Sequence, residues 1–110
     1  MRQSTTKILG TQKNILALTG ALFQNTNIKV SKTVATLKEG ILEAGTIVDK
    51  TGKKVTDGTA FGIVYEDVDF NNSSGTEVVP VTIFGFIKEN VLPQKPATEV
   101  KAALKMIQFL

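Results

Sequence analysis

The longest apolar pattern in the chain runs from Thr76 to Ile87, and both sets of alternating positions in it are largely apolar. A strand with one face in water alternates apolar and polar residues, so this pattern predicts a strand that is covered on both faces. We expect the core of the domain on one face and a helix or a partner subunit on the other.

Shorter β patterns precede this strand. Residues 24–27 have the composition of a turn, and residues 28–35 then alternate with the period of two that is typical of a strand. Residues 41–49 predict a second β segment, in which Gly45 allows a bend. The apolar run at residues 60–65 predicts a short buried strand.

The C-terminal part of the chain predicts one helix and one more strand. Pro93 and Pro96 prevent a helix before residue 97. Thr98 is a candidate N-cap for a short helix over residues 99–104, and the apolar residues 106–110 predict a terminal strand. The fold class that these elements indicate is mainly β (α+β), a small β-rich domain with one short C-terminal helix.

The N-terminal part of the chain predicts a flexible arm. Residues 1–12 are polar apart from Ile8 and Leu9, and they show no periodicity. We therefore expect a flexible arm over residues 1–12 and a single domain over residues 13–110. The apolar stretch at residues 14–23 is compatible with a helix or a strand, and it is shorter than a membrane-spanning helix requires, so we expect no membrane contact.

The composition narrows the chemistry that the chain can perform. Its 110 residues include no cysteine, no histidine and no tryptophan. Disulfides, thiolate metal sites and Ser-His or Cys-His catalytic pairs therefore cannot form. We expect a protein that is not an enzyme and that needs no metal or other cofactor.

The charges are distributed unevenly along the chain. Residues 1–38 contain six basic residues and no acid, whereas residues 39–110 contain seven lysines and ten acids. Such an asymmetry indicates that the N-terminal region contacts an acidic partner. The six cations are dispersed, which favours docking on a protein over binding of nucleic acid. They are Arg2, Lys7, Lys13, Lys29, Lys32 and Lys38.

Two further patterns suggest sites, and neither is complete. Asp67, Asp69 and Asn71 have the spacing of the first ligands of a calcium loop, but Asn72 and Val78 stand where that loop requires Gly and Glu. This pattern therefore favours a solvated strand end.

The aromatic residues Tyr65, Phe84 and Phe86 are compatible with a base-stacking platform on a small β-barrel. The basic residues are mostly not interleaved with them, so a role in the core or in a subunit interface is favoured.

Four segments of the chain, in this order, resemble the lambda-type head decoration proteins of tailed phages. A short lysine-containing helix and an apolar terminal strand follow them in the same order as in that family. The segments are Ala44-Gly45-Thr46-Ile47-Val48, Asp57-Gly58-Thr59-Ala60-Phe61-Gly62-Ile63-Val64, Thr82 to Lys88, and Glu89-Asn90-Val91-Leu92-Pro93.

The resemblance extends from Glu39 to Leu110 and has three departures. Residues 1–38 do not resemble the Pro- and Gly-rich arm of the lambda protein, a tryptophan near Pro93 is absent, and the loop over residues 66–75 looks longer. These departures concern the contacts with the capsid more than the fold.

The resemblance implies a structural protein of the virion that forms homotrimers on the outer surface of the expanded head, after synthesis in the host cytoplasm. Its partners would be the phage major capsid protein and its own copies, and its role would be to stabilise the head against the pressure of packaged DNA. The candidate trimer contacts are Thr82, Phe84 and Phe86. The candidate capsid-binding residues in the arm are Ser4, Thr5, Thr6, Lys7, Ile8 and Leu9. The alternative function is a small β-barrel that binds nucleic acid through the basic N-terminal region.

Overall fold

The long strand predicted at Thr76–Ile87 is the central element of the fold, with the predicted bounds. The computed structural model describes residues 15–16 and 23–110. It confirms the expected class, which is mainly β with one short helix. The strands are β1 (Gln24–Ser31), β2 (Ile41–Leu42), β3 (Ile47–Val48), β4 (Gly62–Val64), β5 (Val68–Asp69), β6 (Thr76–Ile87) and β7 (Ile107–Phe109). A 3-10 turn at Glu89–Val91 and helix α1 (Thr98–Ala103) lie between β6 and β7.

Strand β6 pairs with three other strands. It is antiparallel to β1 along the whole of β1 and antiparallel to β4, which in turn pairs with β3. Strand β7 adds to the last part of β6 in a parallel arrangement, at residues 85–87. Strands β2 and β5 form a separate two-stranded sheet.

The buried side chains form two separate hydrophobic cores. We call the first the valine core, and its members are Val30, Leu42, Val48, Val64, Val68, Phe70, Val79 and Val81. We call the second the isoleucine core, and its members are Ile15, Leu16, Ala44, Ile47, Ile63, Ile87, Val100, Leu104 and Ile107. Because successive side chains of a strand point to opposite faces, β3 and β4 contribute to both cores. Helix α1 and β7 contribute Val100 and Ile107 to the isoleucine core, so they cover that face of the sheet. A helix or a partner subunit was expected over one face of β6, and α1 packs against the end of β6 at Ile87.

Strand β6 changes from one core to the other near its end. Ile83 packs against the valine core, whereas Ile87 belongs to the isoleucine core. Gly85 lies between them with φ of 146°, a backbone conformation that residues with a Cβ rarely adopt. The glycine thus permits the local change of direction that brings Ile87 to α1 and β7.

The prediction for the first strand was wrong in its bounds. Residues 24–27 were expected to form a turn, but they form the first half of β1, because β6 pairs with them from Phe84 to Pro80, with a register shift between Gln24 and Asn25. The strand ends at Ser31 because the next residues turn: the amides of Val34 and Ala35 donate to the carbonyl of Ser31 at 2.9 and 3.0 Å, and the amide of Thr33 donates to Ser31 Oγ at 3.2 Å.

Two other predictions need correction. The segment predicted at residues 41–49 is divided into β2 and β3, which belong to different sheets, with Gly45 between them at φ of 92°. Thr98 is the first residue of α1 and not its N-cap. The N-cap is Ala97, which has no side chain able to accept a hydrogen bond.

Part of the ambiguous apolar stretch belongs to the fold. Ile15 and Leu16 are buried in the isoleucine core, and Leu16 forms an antiparallel bridge with Ile87. The amide of Lys88 also donates to the carbonyl of Ile15 at 2.9 Å. The arm predicted at residues 1–12, with its candidate residues Ser4 to Leu9, lies outside the described residues, so the domain limit after residue 12 stays a prediction.

Candidate interaction surfaces

The face of β6 opposite the valine core carries the exposed apolar residues of the strand. Val79 and Val81 are fully buried, whereas Val78 is 40% exposed and Phe84 is 37% exposed. Phe86 is half-buried. Of the three candidate trimer contacts, Phe84 is therefore the one with substantial exposure, and the trimer itself stays a prediction.

Thr82 lies on the same face but is inaccessible. It pairs with Asn25 of β1 on one side and with Ile63 of β4 on the other, and none of its surface reaches solvent. Its hydroxyl donates a hydrogen bond to Asn25 Oδ1 at 2.7 Å. Its hydroxyl is thus used inside the chain and its surface is closed within one copy, while the contact of Thr82 with a partner subunit stays a prediction.

The surroundings of the exposed side chains are polar. Lys29 of β1 lies opposite Val78, Asn27 lies opposite Pro80, and the exposed Gln24 lies near Phe84. The apolar surface is therefore a pair of separate side chains in a polar strand face.

The four segments that carry the family resemblance meet in space. Ile47 and Val48 pair with β4, and β4 pairs with β6. The amide of Gly45 donates to the carbonyl of Val64 at 2.8 Å. Gly45 also packs so closely against the fourth segment that an added Cβ would lie 2.8 Å from Pro93 Cδ. The motifs are thus separated in sequence but form one contiguous block.

A groove lies beside this block, and we call it the lysine-rimmed groove. Four segments line it, at residues 36–38, 43–47, 54–56 and 93–100, and its cavity volume is about 220 Å³. The apolar residues Ile47, Val55 and Val100 contribute to its lining. Sequence reasoning missed it because no single segment carries a recognisable pattern, and only the tertiary fold brings the four together.

The charges around the groove are mostly positive. Lys38, Lys54 and Lys95 are exposed, and Glu43 is the one acid among the residues that line the groove. The lining also includes the hydroxyl of Thr46, which donates to the carbonyl of Glu43 at 2.8 Å. The arrangement can therefore attract an anionic group beside an apolar surface.

The two aspartates of the calcium-like pattern accept hydrogen bonds within the chain. Asp69 Oδ1 accepts hydrogen bonds from the amide and the Nδ2 of Asn71 at 2.8 and 2.9 Å, and Asp67 Oδ1 accepts one from the amide of Ala44 at 2.7 Å. Burial raises the pKa of Glu66 above its ordinary value. In the part of the chain that the structure describes, no three acidic side chains are grouped in a way that could hold a metal ion.

Two further aspartates are fixed by threonine hydroxyls. Asp49 Oδ1 accepts from Thr51 Oγ1 at 2.6 Å, and Asp57 Oδ1 accepts from Thr59 Oγ1 at 2.5 Å. These hydrogen bonds lower the pKa of both Asp49 and Asp57, since they favour the charged carboxylate. The second of these turns opens the segment Asp57 to Val64, so Asp57 has a structural role in that segment.

Neither a protein-family model, nor a curated protein, nor a solved structure matches the chain. Within residues 15–16 and 23–110, no helix has the length and apolar character needed to cross a membrane.

Proposed function

We propose that the protein is a capsid decoration protein of the lambda type, which binds the expanded head of a tailed phage as trimers at threefold sites. The observation that supports this proposal is the convergence of the four resembling segments. Strands β3, β4 and β6 and the residues up to Pro93 form one block, and α1 and β7 follow it in the order that the resemblance implies.

The proposed mechanism is cementing of the shell. Each trimer bridges neighbouring capsid subunits and resists the outward pressure of packaged DNA. Each contact is weak by itself, but one trimer carries three copies of it, and linked contacts raise the total affinity without any new interaction. The exposed Val78 and Phe84 are the candidate apolar contacts of β6, because burying them in an interface removes apolar surface from water.

The N-terminal arm supplies the second part of the mechanism. A polar, extended segment can add a strand to an exposed sheet edge of the capsid protein through backbone hydrogen bonds. Ordering such a segment costs about 1–2 kcal/mol per residue, so apolar anchors are needed to offset that cost. Ile8 and Leu9 are the apolar residues of the arm that can serve in this way.

The test is co-sedimentation of the purified protein with expanded, undecorated heads of the phage that encodes it. Saturable binding at a fixed number of copies per head is expected. Deletion of residues 1–12 should leave the unfolding transition unchanged and abolish binding, and unchanged binding would contradict the role of the arm.

A folded, soluble protein that fails to bind the heads would overturn the proposal. Binding to DNA that weakens steeply with added salt would then favour the nucleic-acid alternative, because phosphate contacts release counterions.

A further inference from the structure

The lysine-rimmed groove is large enough to hold one or a few side chains of a bound partner. Its volume of about 220 Å³ lies below the roughly 300–1,000 Å³ of pockets that enclose a drug-sized ligand. Its lining places Ile47, Val55 and Val100 near one another, so an apolar side chain that enters the groove would leave water. The groove is thus suited to a short part of a larger partner.

The cations at the groove are available to such a partner. Among the described residues, the one ion pair joins Lys101 to Glu89 at 3.1 Å. Lys38, Lys54 and Lys95 are therefore not neutralised by a described acid. Three free cations against Glu43 make the groove complementary to a segment that carries carboxylates.

One side of the groove has backbone groups without a partner among the described residues. Thr36 and Leu37 form no hydrogen bond with another described residue, and they lie between the turn after β1 and the bridge of Lys38 with Ile41. Two successive residues with unpaired backbone groups can pair with an extended peptide, whereas a small anion would use the lysines alone. This feature favours a peptide as the occupant.

The N-terminal region of the same chain does not fit the groove. Residues 1–14 contain Arg2, Lys7 and Lys13 and no acid. Placing this segment between three lysines would bring like charges together, which is unfavourable. The occupant is therefore a segment of another protein.

We propose that the lysine-rimmed groove binds an extended acidic segment of a partner protein, which inserts one apolar side chain beside Val55 and Val100 and directs its carboxylates to Lys38, Lys54 and Lys95. The proposal depends on the groove and not on the decoration role. It adds a contact that is separate from the N-terminal arm and from the exposed side chains of β6.

The test starts with selection of short random displayed peptides on the full-length protein. Peptides that also bind the variant Lys38→Glu/Lys54→Glu/Lys95→Glu are removed by counter-selection. The remaining peptides are expected to be enriched in Asp and Glu next to an aliphatic residue. An absence of acidic enrichment would overturn the proposal.

The most enriched peptide is then synthesised and titrated into isotope-labelled protein. Amide shifts are expected at Thr46, Val55 and Ala97, which line the groove. Shifts that are confined to other surfaces would overturn the proposal. Acetate at the same concentration should not displace the peptide, and full displacement by acetate would show a small-anion site instead.

The matched control reverses three exposed lysines outside the groove, in Lys29→Glu/Lys50→Glu/Lys105→Glu, so that both triple variants have the same net charge. The groove variant should lose at least about tenfold in affinity, and the control should lose much less, because contact charges contribute more than distant ones. Equal losses would contradict the proposal. If the groove variant does not unfold as the parent does, the single change Lys54→Gln takes its place, with Lys105→Gln as control.

Discussion

The two faces of β6 differ in how the chain covers them. On one face, Val79 and Val81 are fully buried and meet side chains from β1, β3, β4 and β5 in the valine core. On the other face, Thr82 is buried while Val78 and Phe84 stay exposed. Both faces are apolar in sequence, so the difference arises from which distant segments reach them. On the open face, only the two separate side chains of Val78 and Phe84 remain for a partner to bury.

The largest expected loss of stability comes from replacing a phenylalanine by alanine, and the same substitution on each of the two faces tests the difference between them. Phe70 is the largest side chain that is fully buried in the valine core, whereas Phe84 is 37% exposed. Phe70→Ala should lower the free energy of unfolding by about 3–5 kcal/mol, because it leaves a cavity among packed side chains. Phe84→Ala should cost about 1 kcal/mol or less, since part of its ring is already in water. Urea unfolding of both variants measures the two losses.

Equal losses in the free energy of unfolding for the two variants would contradict the prediction that the two faces of β6 differ. They would show that Phe84 is packed as tightly as Phe70 is in the valine core. The measurement is made at several protein concentrations. A loss at Phe84 that grows with concentration would indicate that an association of copies covers this ring.

A second prediction concerns the close approach of β4 to β6 at Gly62. An added Cβ at Gly62 would lie 2.3 Å from Val81 Cγ1 and 2.8 Å from the carbonyl oxygen of Thr82. Gly62→Ala should therefore destabilise the protein by about 1–3 kcal/mol through overpacking. The measurement is the midpoint of urea unfolding.

Gly58 supplies the control, because an added Cβ there meets no atom within 4 Å. Gly58→Ala should change stability by no more than about 0.5 kcal/mol. If the two glycine variants have the same midpoint of urea unfolding, the close approach of β4 to β6 does not require a glycine at position 62.

The sequence predicted the features that depend on local pattern. The bounds of β6 follow from a long apolar run. The short helix and the terminal strand were also expected, over residues 99–104 and 106–110, and they form at Thr98–Ala103 and Ile107–Phe109. In each case the neighbours in sequence supply the physical cause, so a reading of the sequence alone can find them.

The sequence did not predict features that depend on distant partners. Asn25 belongs to a stretch with the composition of a turn, yet it lies in β1 because it pairs with Thr82 of β6, whose hydroxyl also donates a hydrogen bond to its side chain. Phe70 follows β5 in a stretch that was expected to be a polar loop, yet it is fully buried because the valine core lies beneath it. The lysine-rimmed groove forms from four separate segments. Tertiary contacts override local preference at each of these places.

The smallest predicted effect tests the one buried residue on the open face of β6. Thr82→Val keeps the shape of the side chain but removes the hydroxyl that donates to Asn25 Oδ1 at 2.7 Å. The amide oxygen of Asn25 then loses this partner in a partly buried position, so the free energy of unfolding should fall by about 1–2 kcal/mol. Thr76→Val, on the same strand at an exposed position, is the matched control and should be nearly neutral. Since the hydrogen bond lies within one chain, the loss should not depend on protein concentration. A loss that varies with concentration would instead assign Thr82 to a contact between copies, as predicted from the sequence.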